Sequence, residues 1–107
     1  MSDKVWKAME RKVADEIGGL RIPCSGNGRI VGDVLHDLFM VECKYRKKMV
    51  IDSWFEKAEK DAMKMKVKKP VLLATKMKGK HAIYVTMEIS DFKKFLEEKD
   101  GRDKVQA

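Results

Sequence analysis

The chain has no apolar run near the ~20 residues that a membrane-spanning helix requires. Its opening stretch, MSDKVWKAMERKV, lacks the apolar core of a secretory leader. Two cysteines, Cys24 and Cys43, are too few for a disulfide framework, so a reducing, cytoplasmic compartment is expected. No CxxC pair occurs, and His36 and His81 have no partner at zinc-ligand spacing. No G-x-x-x-x-G-K-[ST] phosphate loop is present, and no internal repeat. What is there is charge. Of 107 residues 38% are charged, with a net charge of +7 and a pI near 9.4. That balance favours a polyanionic partner, nucleic acid ahead of an acidic membrane surface. The length allows one domain with one modest core, expected over residues 1–98, followed by a polar tail over 99–107.

The most informative stretch is VGDVLHDLFMVECKY, Val31 to Tyr45. It reads as two apolar strands joined by a short polar connection at His36-Asp37, with His36 as a surface turn residue. Side chains in a strand change faces at each residue, so Glu42 and Lys44 share one face, roughly 6–7 Å apart at about 3.3 Å per residue. Phe39, Val41 and Cys43 go to the other face. A hairpin return lays Asp33 beside Glu42 and Lys44. Two carboxylates and an ammonium on one spot repel or hold a proton unless a cation joins them. The plain alternative is a surface ion pair worth under ~1 kcal/mol. Acids set inside apolar strands favour a site over that alternative.

Asp33, eight intervening residues, then Glu42-Cys43-Lys44 resembles the PD-(D/E)xK nuclease motif, with Gly32 where that motif has proline. Glu10-Arg11, Gly19, Arg21, Ser25-Gly26 and Gly32-Asp33 extend the likeness to small archaeal-type and phage-type Holliday junction resolvases. The resemblance implies a restriction-endonuclease-like αβββαβ core, a central mixed sheet flanked by helices. It implies Mg²⁺, with Mn²⁺ as a substitute, held by Asp33, Glu42 and the Cys43 carbonyl. Glu10 joins as the helix-borne acid, with Glu16 as the rival, and Lys44 and Ser25 complete the catalytic set. Arg21, Ser25, Arg29, Arg46, Lys47 and Lys48 are the implied DNA contacts. The implied partners are branched or duplex DNA and a second copy of the chain.

The remaining elements follow from periodicity and caps. Residues 3–17 read as a helix with Val5, Trp6, Met9, Val13 and Ile17 in its apolar stripe, stopped by Gly18-Gly19. Leu20 to Ile22 is a short strand, ended by Pro23. Ser53-x-x-Glu56 is a capping box opening a helix to about Met65. Pro70 to Thr75 reads as a buried strand and His81 to Met87 as another, separated by a Lys78-Gly79 turn. Ser90 caps a last helix carrying Phe92, Phe95 and Leu96. Trp54 and Phe55 are expected in the core, and the eight methionines as core filler and subunit contacts. The leading expectation is a metal-dependent endonuclease resolving four-way junctions. The alternatives are a restriction-like or repair nuclease on duplex, flaps or nicks, and a non-catalytic DNA-binding module.

Overall fold

The computed structural model describes residues 2–22 and 32–100. Ser25, Arg29 and Cys24 lie outside the described residues. The elements follow the order α1 (Ser2–Ile17), β1 (Leu20–Arg21), β2 (Val34–Leu35), β3 (Met40–Arg46), α2 (Ile51–Lys64), β4 (Val71–Met77), β5 (Ile83–Thr86), α3 (Ile89–Asp100). The strands form one mixed sheet in sequence order. β1, β2 and β3 are antiparallel neighbours, β4 runs parallel to β3, and β5 returns antiparallel to β4. Over the described residues the protein is thus a small α/β domain of five strands and three helices. No described helix is long and apolar enough to cross a membrane.

Strand alternation divides the core into two layers. Val34, Val41, Leu72 and Ala74 face α1 and meet Met9, Val13 and Ala14, with Phe39 and Cys43 at the margin. Met40 and Val71 face α2 and meet Ala58 and Ala62, with Phe55 and Val67 beside them. Alanine at both contact positions of α2 lets the helix lie close on the sheet. Even-numbered residues of β3, Glu42 and Lys44 among them, therefore share the face of Met40.

Glycine makes the turns at two places. Gly19 brings α1 onto the sheet: a Cβ there would meet Leu35 O at 2.6 Å and Val34 Cγ1 at 2.8 Å. Gly32 has φ +96°, and a Cβ would meet Val41 O at 2.7 Å. Proline, fixed near φ −65°, cannot adopt that conformation. The glycine in place of the motif's proline is thus required by the local backbone.

Several expectations need correction. β2 is only two residues long, because Gly32 leaves the extended region before Asp33. Val5 is exposed, and Ala14 takes a place in the buried stripe. α2 opens at Ile51, two residues before the expected cap, and its N-cap Val50 makes no side-chain bond. Asp52, inside the first turn, accepts the Ser53 N–H on Oδ1 at 2.9 Å, and a carboxylate there suits the helix dipole. Met65 lies beyond the helix and is exposed. β4 extends to Met77, and β5 is shorter than expected. In α3, Ser90 lies inside the helix, and its Oγ donates to Glu88 Oε1 at 2.8 Å instead of capping. Phe92, Phe95 and Leu96 remain more than two-fifths exposed, with the Phe95 ring 6.1 Å from that of Phe39. His36 is no simple surface turn residue. Its half-buried ring bonds Ile17 O through Nε2 at 2.9 Å and accepts the Leu38 N–H at Nδ1 at 3.0 Å.

Candidate active site

The site forms where β2 leaves β3. The β2–β3 ladder ends early, and the Asp33 N–H still donates to Val41 O at 2.7 Å. Beyond that point, among the described residues, a side chain meets the edge of β3: the Cys43 N–H donates to Asp33 Oδ2 at 2.8 Å. The Ile22 N–H donates to Asp33 O at 2.9 Å. These bonds fix both the backbone and the carboxylate of Asp33. Within a strand, a residue's N–H and C=O point to the same edge. The Cys43 carbonyl therefore faces the edge on which Asp33 lies.

Glu42 and Lys44 stand next to this edge, both side chains mostly buried, with Nζ 3.7 Å from Glu42 Oε2. Burial pushes the Glu42 carboxyl up to about 7, and the Asp33 charge adds to the rise. Lys44 and Lys57 pull the other way, and Asp61 pushes it further up. Lys57 and Asp61 pair across one turn of α2 at 3.0 Å. Burial and the carboxylates of Asp33, Glu10 and Glu42 raise the Cys43 thiol far above its usual range. The Cys43 side chain packs against the α1-facing core cluster, while its carbonyl faces the Asp33 edge.

Glu10 reaches the same cavity from α1, a space of about 290 Å³ that Trp6, Asp33, Glu42, Lys44 and Arg46 also line. It is 3% exposed. Its Oε1 accepts Arg21 Nε at 2.7 Å, and the Arg21 guanidinium lies 5.9 Å from the Trp6 ring. Burial raises the Glu10 carboxyl; the Arg21 hydrogen bond opposes this, and Asp33 adds to it. The expected DNA contact Arg21 is thus engaged on Glu10 inside the site. Glu16 is exposed, paired with Lys12 at 4.0 Å, and lines a different surface hollow. Arg46, Lys47 and Lys48 are exposed at the end of β3. Arg46 donates through a guanidinium nitrogen to Tyr45 O at 3.0 Å and lies 6.0 Å from the Trp54 ring.

The donor set decides which ion fits. Among the described residues, no group of three or more His, Cys, Asp or Glu gathers to hold a metal. Asp33 and Glu42 offer two carboxylates and Cys43 a carbonyl, all hard oxygen donors. Mg²⁺ is commonly held by one or two carboxylates, with waters and substrate phosphates filling its octahedron. The residues fit that ion; a zinc cage would need more protein ligands, with nitrogen or sulfur among them.

Sequence reasoning overlooked Trp6 as a wall of the site, since its helical spacing marks it as core. It also overlooked the Lys57–Asp61 pair, for which the i,i+4 spacing of opposite charges was a visible signal. No family model, curated protein or solved structure matches this chain.

Proposed function

We propose that the protein is a metal-dependent DNA endonuclease of restriction-endonuclease-like fold, with a four-way junction as its substrate. One observation carries the reading: Asp33, Glu42 and Lys44 gather at the open edge of β3. The element order through β4, antiparallel over the first three strands and parallel at the fourth, supports the same fold. The net charge of +7 and the basic run Arg46-Lys47-Lys48 at the end of β3 suit a polyphosphate.

Asp33 and Glu42 hold Mg²⁺ together with the Cys43 carbonyl, and Mn²⁺ substitutes. The ion, when bound, supplies positive charge beside the scissile phosphate. Lys44 orients the attacking water and offsets the charge that develops on the phosphate oxygens. Arg21 neutralises Glu10, which limits the negative charge meeting the DNA. Arg46, Lys47 and Lys48 hold the backbone in register. Phosphodiester hydrolysis needs positioning and charge more than covalent help. A junction is cut at two symmetric places, so a two-fold homodimer with one site per chain is the simplest working form.

The test uses a labelled four-way junction and its component duplex arms with Mg²⁺. Wild-type protein cuts the junction; Glu42→Gln and Asp33→Asn bind it but leave it intact. Equal cutting by the variants overturns the assignment. Equal cutting of the arms moves the substrate to ordinary duplex.

A further inference from the structure

A second cavity, of about 510 Å³, opens at the carboxyl ends of β3 and β4. Its size lies in the range of roughly 300–1,000 Å³ typical of small-ligand sites. Met49, Ile51, Met77 and Tyr84 give it apolar walls, and Lys80 and His81 are exposed members of its lining. Its buried member is Thr75, 1% exposed, whose Oγ1 has no hydrogen-bond partner among the described residues. A buried hydroxyl left unpaired is a standing cost to the fold, and a ligand with a polar edge would remove it.

Position identifies the ligand class. Thr75 is in register with Lys44 on the neighbouring parallel strand. The two side chains therefore share a face, about 4.8 Å apart along the ladder. The Lys78 N–H donates to Arg46 O at 2.7 Å, which ties the β4–β5 turn to the basic end of β3. An occupant then lies on the sheet face that Lys44 shares, meets the cation of Lys80 in the lining, and has the basic end of β3 one strand away. It must also present an apolar face to Tyr84, which is 65% exposed, and a polar edge to Thr75.

We propose that this cavity receives one unstacked nucleobase of the DNA strand next to the scissile phosphate. A base offers a π face to an aromatic ring and donors and acceptors along its edge. Its own phosphates carry the charge that the rim complements. A continuous duplex keeps its bases stacked and fills the cavity only after unstacking, whereas a bulge or branch point supplies a loose base at lower cost. The inference rests on the DNA-cleaving reading and deepens it, by naming the feature that separates distorted from regular DNA.

The experiment measures binding of the full chain by fluorescence anisotropy, with Ca²⁺ in place of Mg²⁺ to hold the DNA uncut. The probes are a duplex with a single adenine bulge and the same duplex with an abasic bulge. The adenine bulge is expected to bind about fivefold tighter or more. Thr75→Val and Tyr84→Ala should each bring that ratio close to one. Thr75→Val should also raise Tm by about 4 °C, because the unpaired hydroxyl is gone. Equal affinity for the two bulges in wild-type protein overturns the proposal, as does a ratio that survives both substitutions. If the protein cuts DNA through Asp33 yet ignores the bulged base, only the base pocket falls. If it binds no DNA, the nuclease reading falls with it.

Discussion

Glu42 is the residue whose charge state governs the site. Its carboxyl has a folded-state value of about 7 against an ordinary 4.5. The folded protein thus binds this proton more tightly than the unfolded chain does. The resulting stability is fully present below pH 4.5 and is lost as pH rises through about 7. In metal-free buffer, Glu42→Gln should be more stable than wild type at pH 8, by up to about 3 kcal/mol, and should gain nothing at pH 4. Urea titrations at the two pH values check this. Under the proposed assignment Mg²⁺ competes with the same proton, so its Tm gain should be larger at pH 8 than at pH 6. Gly32 makes a different demand. A methyl at φ +96° and 2.7 Å from Val41 O cannot be accommodated without moving β3. Gly32→Ala should cost about 1–3 kcal/mol in chemical denaturation and abolish the Mg²⁺ response. The acidic pair was legible in the sequence because strand alternation is strict and acids among valines are conspicuous. The Glu10–Arg21 bond was not. The order of the motif supplied both residues, but nothing in eleven positions of separation says that one consumes the other's charge.

At the scale of elements, α1, β3, α2 and β4 follow from periodicity, because their buried faces repeat at the spacing their backbone dictates. The short elements escaped. β2 was set by one glycine's dihedral, and α2 opens at Ile51, ahead of the serine that marked a cap, with no side-chain cap at Val50. α3 carries an apolar spacing like that of a core helix, yet it buries little. The contrast between β4 and α3 is testable. Leu73, fully buried in β4, should cost about 2–5 kcal/mol when changed to Ala. Phe95→Ala should cost no more than about 1.5 kcal/mol, since the residue is 41% exposed and its ring lies 6.1 Å from that of Phe39. Thermal unfolding of the two variants separates a packed strand from a loosely attached helix.

For the whole molecule, the charge of +7 governs encounter with a polyanion. The logarithm of DNA affinity should fall linearly with the logarithm of salt, by about 0.9 per phosphate neutralised. Replacing Arg46, Lys47 and Lys48 together with Ala should flatten that slope by about two to three, measured by anisotropy from low to moderate salt. Among the described residues no strand pairs with β3 beyond Val41 on the Asp33 side, and this bears on a different property of the molecule, its solubility. An unpaired strand margin is a template for joining another chain. Here the Asp33 carboxylate covers the Cys43 N–H and the Arg46 guanidinium covers the Tyr45 carbonyl. The carboxylate proposed above as a metal ligand thus also shields this margin from sheet-to-sheet growth. Asp33→Ala should therefore raise light scattering at high protein concentration, whereas Glu42→Gln, which leaves that guard in place, should remain clear.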